Sequence, residues 1–249
     1  MIVLIVLVVL FVLYIVNRLK QKYIVDLFKN NSCMVYGYKG TGKDMLFQFV
    51  ISRRKKEKYI SNIDYGGSHI PLAMSRLNLD FNYTELYDGG KVSSDYYDYE
   101  GADVYISDVG VYLPSWDYSY LNKNYKGLPL YLALSRHLSN TNVHCNSQAL
   151  SRPWDKIREQ SGIYIKTLNT KVFLKYFVYT RIRVYDKYES ALDDVRPLRL
   201  NYSGKEQKIE KDRFISKYGT VKEMSFIWFT KKIYYDTRYF KSIVQKFEQ

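Results

Sequence analysis

Ser32-Cys33-Met34-Val35-Tyr36-Gly37-Tyr38-Lys39-Gly40-Thr41-Gly42-Lys43-Asp44-Met45-Leu46-Phe47-Gln48-Phe49-Val50-Ile51 is the stretch whose reading decides the fold. Ser32 to Tyr36 is a short apolar run suited to a buried strand, and Met45 to Ile51 continues as a helix. Between them, Gly37 to Lys43 matches G-x-x-x-x-G-K and departs from the full motif only where Asp44 replaces Ser or Thr. Glycines let the chain wrap backbone N–H groups around phosphate oxygens, and the helix N-terminus adds its positive dipole end. A Gly-rich turn without function is the competing reading, and the strand–loop–helix context argues against it. The expectation is a phosphate loop in which Gly37, Tyr38, Lys39, Gly40, Thr41, Gly42, Lys43 and Asp44 contact ATP. Lys43 would reach the β- and γ-phosphates. Asp44 could ligate Mg2+ in place of the usual hydroxyl, but it brings negative charge towards the phosphates.

Working outward, Arg53-Arg54-Lys55-Lys56 forms a basic cluster and Tyr59 to Ile63 reads as a second strand. Asp64 to Glu100 is polar and Tyr- and Gly-rich, with little periodicity, as in an irregular surface excursion holding short helices. Ala102-Asp103-Val104-Tyr105-Ile106-Ser107-Asp108 is an apolar strand ending in an acid, so Asp108 would hold Mg2+ through water. Val109 follows where a catalytic Glu often sits, which leaves the general base unidentified. Gly127 to His137 reads as a helix, leading into a core strand over Asn142 to Gln148 whose end presents Asn146 and Gln148. A polar residue there orients a water or senses the γ-phosphate; alternatively it caps the next turn. Arg136, His137, Arg152 and Arg158 surround this element, and any of them could serve as an arginine finger or simply be solvated or paired. The three histidines, His69, His137 and His144, are scattered and form no metal or triad pattern.

Residues Met1 to Val16 carry no charge, no Gly and no Pro. As a helix they span ~24 Å, which Asn17 to Tyr23 can extend towards the ~30 Å of a bilayer core. A signal peptide would show a basic start and a small-residue cleavage site, and neither is present. Arg18, Lys20 and Lys22 all flank the C-terminal side, so the positive-inside bias puts the body of the chain in the cytoplasm. The whole chain has 38 Lys+Arg against 25 Asp+Glu, a net charge of +13 that favours nucleic acid or an anionic membrane face. Its 27 tyrosines suit base stacking, although AT-rich coding raises Tyr, Lys, Asn and Ile together and is the favoured explanation. Cys33 and Cys145 lie in apolar strand-like runs and read as small buried hydrophobes, without zinc or a disulfide.

In the last third, Gly162 to Lys166 alternates as a strand does, and Lys171 to Tyr185 reads as one long strand or a strand bent midway. Lys171, Lys175, Arg181 and Arg183 suit either a nucleic-acid backbone or a charged edge that blocks sheet-to-sheet aggregation. Asp186 to Lys211 is turn-rich, Ser225 to Thr230 is a further strand candidate, and a helix over Arg238 to Phe247 closes the chain.

Taken in order, the phosphate loop Gly37 to Lys43, the strand Ile60-Ser61-Asn62-Ile63, the acid-ending strand, Ser135-Arg136-His137, Asn142-Val143, Gln148 and Ile157-Arg158 resemble the zonular occludens toxin family. These are assembly ATPases of filamentous phages, P-loop proteins related to the FtsK/HerA class of DNA-translocating motors. The resemblance covers about residues 32 to 160, and its most particular feature is the Arg-His pair before a strand ending in Gln. It implies nucleotide contacts from Gly37, Gly40, Gly42 and Lys43, metal support from Asp108, and site roles for Arg136 and Gln148. It also implies a virus-encoded ATPase of the host inner membrane that drives extrusion or packaging of DNA, working as a homo-oligomeric ring with other phage assembly proteins. Asp44, Val109 and the N-terminal position of the membrane segment depart from the family pattern.

The sequence therefore predicts an α/β P-loop NTPase with a mainly parallel central sheet, one N-terminal transmembrane helix and a β-rich C-terminal part. The expected divisions are an anchor over 1–22, a nucleotide-binding domain over 30–160 and a β-rich region over 161–249. The expected catalytic set is Lys43, Asp108, Gln148 and Arg136, with Mg2+ held through Asp44 and Asp108. A nucleotide-gated membrane scaffold with little hydrolysis is the rival reading.

Overall fold

The computed structural model describes residues 2–54, 58–72, 101–125, 128–129, 141–193 and 221–231. Helix α1 (Ile2–Asn30) opens the chain, and its two halves differ in kind. Up to Val16 every large apolar side chain is at least 40% exposed, whereas Gln21, Ile24 and Phe28 are buried. The 3- and 4-residue spacing of those three is the stripe by which a helix docks on a sheet. The helix stops where the Asn31 N–H and side-chain amide both donate to the Leu27 carbonyl, at 3.0 and 3.1 Å.

Strand β1 (Cys33–Tyr36) follows, then helix α2 (Lys43–Arg53), β2 (Tyr59–Ser61), β3 (His69–Pro71) and β4 (Asp103–Ile106). After short helical turns come β5 (Val143–Ser147), β6 (Ile163–Phe173), β7 (Phe177–Tyr185) and β8 (Val221–Phe229). They form one sheet in the order β3-β2-β4-β5-β1-β6-β7-β8. Pairing is parallel from β3 through β6 and antiparallel for β6–β7 and β7–β8. The central strands are buried on both faces, which is why they read as continuous apolar runs. Met34, Tyr36, Val104, Ile106 and Cys145 pack on one side with Leu113, Leu150, Trp154 and Ile157. Cys33, Val35, Tyr105 and Ile165 pack on the other with Ile24 and Phe28 of α1 and Leu46, Phe47 and Val50 of α2. Both cysteines are free and buried, and burial pushes their thiols up, Cys145 to about 12.

The β-rich last part joins this same sheet. Gly162 and Ile163 both donate to the Ser32 carbonyl, at 3.0 and 3.3 Å, and β6 then runs beside β1. Residues on either side of position 160 therefore share one hydrogen-bonded ladder.

Two sequence expectations need correction. Lys171 to Tyr185 is not a single strand but a hairpin, because Leu174 and Lys175 take left-handed conformations (φ 47° and 63°) and reverse the chain. No Gly or Asn marks that turn. Within the stretch read as irregular, His69–Pro71 pairs with β2 as a short parallel strand. The basic cluster is also divided. Arg54 turns inward to an ion pair with Asp103, which is 1% exposed, and donates to the Phe28 carbonyl at 3.1 Å. The expected helix over Gly127 to His137, apart from 128–129, lies outside the described residues. So do Arg136, Lys55, Lys56, 73–100, 194–220 and the closing helix.

Candidate functional site

The site forms at the C-terminal ends of β1, β4 and β5, where connections from the parallel strands diverge. The loop Gly37 to Gly42 leaves β1 and turns into α2. Gly42 sits at φ 91°, in the left-handed region, and a Cβ there would collide with the side chain of Thr170 on β6. That position needs glycine for its backbone and for the close approach of β6. Thr41 Oγ1 lies 2.7 Å from Thr167 Oγ1, so β6 braces the loop twice. No side chain caps the N-terminus of α2, which leaves its first N–H groups available to an anion.

Lys43 is 6% exposed and donates to the carbonyls of Gly37 and Tyr38, at 3.1 and 3.4 Å. Burial lowers its pKa, while the charges of Asp108 and Asp44 oppose that shift. Tyr38, by contrast, stands 81% exposed at the loop tip.

Asp44 is buried, and its Oδ1 accepts three hydrogen bonds. The donors are Tyr65 Oη at 2.7 Å, Ser107 Oγ at 2.6 Å and Asn146 Nδ2 at 2.9 Å. They come from beyond β2, the end of β4 and the end of β5. The Asn62 side-chain amide locks the Ser107 backbone, accepting from its N–H at 2.8 Å and donating to its carbonyl at 3.0 Å. Asn146 Oδ1 in turn accepts the Asp108 N–H at 2.8 Å. Asp44 and the backbone of Asp108 are thus joined through one buried amide.

Asp108 is half-buried in a left-handed conformation (φ 50°). Burial raises its pKa, the charge of Asp44 adds to the rise, and Lys43 and Arg152 pull it back. Two carboxylates that repel each other beside a lysine fit a divalent cation, whose charge relieves that repulsion. Val109 is 0% exposed and belongs to the core, which is the physical reason no carboxylate occupies that position.

Lys43, Asp44 and Asp108 are therefore assembled. Gln148 lies just beyond the end of β5, where its Oε1 accepts from Arg152 Nη1 at 3.1 Å. Arg158 faces the Tyr188 ring, 5.6 Å from its centroid, and reaches the Leu150 carbonyl. His144 is buried between Phe28 and Tyr105, and its Nδ1 accepts the Cys33 N–H at 3.3 Å. Among the described residues no group of His, Cys, Asp and Glu has the makings of a protein-only metal centre. Sequence reasoning missed Tyr65, Ser107, Asn62 and the two threonines of β6. It noted Asn146 beside Gln148 but assigned the catalytic role to Gln148.

The sequence matches no family model and no curated protein. Among solved structures, the N-terminal domain of zonular occludens toxin from Neisseria meningitidis is 11% identical at TM-score 0.39, over 81% of this chain and 95% of that one. The genome packaging NTPase of Sulfolobus turreted icosahedral virus 2 in complex with ATP-gammaS is 13% identical at TM-score 0.40, over 64% of this chain and 93% of that one. The flagellar accessory protein FlaH from Methanocaldococcus jannaschii is 12% identical at TM-score 0.35, over 62% and 77%. At such TM-scores these likenesses decide nothing about the site, whose chemistry rests on its own residues.

Proposed function

We propose that this chain is a membrane-anchored ATP-binding protein, an ATPase that drives phage assembly, extrusion or DNA packaging from the cytoplasmic face of the host inner membrane. The observation that carries the reading is the junction of β1 and α2. There a glycine loop encloses the Lys43 ammonium, and an uncapped helix N-terminus follows directly. That combination of free N–H groups, a dipole end and a buried cation suits the phosphates of a nucleotide.

In this reading Lys43 exchanges the Gly37 and Tyr38 carbonyls for β- and γ-phosphate oxygens. Asp108 would support Mg2+, with Asp44 behind it. When bound with the nucleotide, Mg2+ neutralises charge on the transferring phosphoryl group. Gln148 leaves Arg152 to orient the attacking water, and the sequence resemblance assigns a further site role to Arg136. The anchor is α1, the one described helix long and apolar enough to cross a membrane. The phage role, a DNA partner and a homo-oligomeric ring with ATP at its subunit boundaries follow from the sequence resemblance.

A nucleotide-gated membrane scaffold that binds ATP with little turnover is the second reading. It is favoured by the three donors already held by Asp44 and by the buried Val109 in place of a catalytic acid.

Phosphate release from Mg-ATP by detergent-purified protein, with and without single-stranded DNA, separates the two. Turnover that rises with DNA and disappears in Lys43→Ala supports the motor. Bound ATP with no phosphate release refutes the motor and leaves the scaffold.

A further inference from the structure

The β6–β7 hairpin ends in a cluster that a water-soluble turn would avoid. Leu174 at its tip is 78% exposed, and Phe173, Tyr176, Phe177 and Phe229 are 38%, 38%, 39% and 46% exposed. The rings form one continuous surface, with centroids 5.7 Å apart for Phe173–Phe177, 5.6 Å for Phe177–Phe229 and 5.9 Å for Tyr176–Phe229. Leu174 and Lys175 hold left-handed backbone conformations that Gly or Asn would adopt without strain. A strained turn presenting Leu to water breaks two local rules at once, which is the mark of a surface kept for contact.

Its position says what it contacts. The Asn17 side chain donates to the Ile227 carbonyl and accepts the Ile227 N–H, both at 2.8 Å. Ile227 is two strand residues, about 7 Å, from Phe229. Five residues back along β8, the Lys222 ammonium lies 3.9 Å from the Tyr23 ring centroid. Passing from Tyr23 to Asn17 thus follows β8 from Lys222 to Ile227. Continuing the same way leads α1 into its apolar residues and β8 to Phe229. Asn17 is where α1 leaves the fold, with basic Arg18, Lys20 and Lys22 behind it. The aromatic surface therefore adjoins the point where the bilayer begins. Lys171 and Lys175 flank it with charge that suits anionic headgroups, whereas Arg181 and Arg183 farther along β7 are paired with Glu223 of β8.

We propose that the β6–β7 hairpin tip, with Phe229 of β8, is a second membrane contact that inserts Leu174 and the surrounding rings into the interfacial layer of an anionic bilayer. This rests on the reading of α1 as a membrane anchor. Aromatic rings at headgroup depth and lysines directed to the surface match the chemistry of that layer. The two attachments fix the orientation of the sheet relative to the membrane, which a single helix would leave free to swing.

The test uses the full chain in vesicles of phosphatidylethanolamine and phosphatidylglycerol that carry nitroxide-labelled lipid. A fluorophore is attached at Leu174→Cys, at Phe229→Cys, at Leu10→Cys in α1, or at Glu159→Cys as the exposed reference. Cys33 and Cys145, 0% and 3% exposed, do not compete for label. Quenching at positions 174 and 229 at least twofold stronger than at 159, together with quenching at 10, is the expected result. Quenching at 10 with positions 174 and 229 no different from 159 overturns the proposal, gives the surface to a protein partner, and leaves the anchor standing. No quenching at any of the four positions overturns both. The Phe229→Cys label keeps the test decisive if the turn itself rearranges on substitution.

Discussion

The Asn146 side-chain amide donates to Asp44 Oδ1 at 2.9 Å, tying the end of β5 to the first turn of α2. With Tyr65 and Ser107 on the same oxygen, the carboxylate that replaces the usual hydroxyl of a phosphate loop ties the ends of β4 and β5 to the segment that follows β2. Asp44 is thus a structural centre of the site.

Asp44→Ala leaves three buried donors without their acceptor and is expected to cost roughly 3 kcal/mol of stability, from a net 0.5–1.5 kcal/mol per bond plus desolvation. Asp44→Asn keeps one carbonyl acceptor and is expected to lose less. Urea denaturation of both variants measures this. Equal stability of Asp44→Ala and wild type would remove the structural role.

At the opposite ends of the strands, Arg54 and Asp103 form a pair with side chains 8% and 1% exposed. Arg54→Ala strands a buried carboxylate, and a loss of about 3–5 kcal/mol is expected. The double variant Arg54→Ala with Asp103→Asn removes the uncompensated charge and is expected to recover part of that loss. A double-mutant cycle by chemical denaturation reads the coupling directly.

Asp108 gives a pH dependence of defined sign. Its folded pKa is raised, so between the unfolded and folded values the unfolded chain ionises first and the folded one keeps its proton. Stability of the nucleotide-free protein from this group therefore falls as pH rises through that window, and the cost is fully present above the folded pKa. Asp108→Asn is expected to raise the melting temperature near neutral pH and to flatten this part of the profile. It is also expected to weaken Mg-dependent nucleotide binding. Melting curves across the acidic range check the first expectation and nucleotide titrations the second.

Asn17 covers the outer edge of β8 at Ile227, engaging both of its backbone groups from α1. Asn17→Ala is expected to cost about 1–2 kcal/mol and to speed hydrogen exchange at the Ile227 amide at least tenfold. Exchange mass spectrometry over residues 221–231 measures it, and unchanged protection would show that the strand edge does not depend on the helix.

Much of this architecture could be read from the chain, because the deciding signals were local. Gly37 to Lys43 dictates its own turn, the apolar runs around Val35 and Val104 read as buried strands, and Asp108 follows β4 by two residues rather than ending it. What escaped was set by tertiary contact. Tyr65, Ser107 and Asn62 are ordinary polar residues until α2 brings Asp44 among them. Gln148 and Asn146 are two apart, yet β5 ends at Ser147, so Asn146 is held by the ladder and donates to Asp44 while Gln148 lies beyond it. The hairpin turn carries Leu174 and Lys175 where no propensity predicts a reversal. One signal was present and unused. Asn17 and Gln21, four apart where the apolar half of α1 ends, share a face, and both bond the Ile227 carbonyl, at 2.8 and 2.6 Å.

Equilibrium titration of the full-length protein in detergent with a fluorescent ATP analogue and Mg2+ tests the central claim most directly, with Lys43→Ala alongside. Saturable binding by wild type that weakens at least tenfold in Lys43→Ala is the predicted result. Absence of binding by wild type, or equal affinity in both proteins, would contradict the assignment of Gly37 to Asp44 as a nucleotide site.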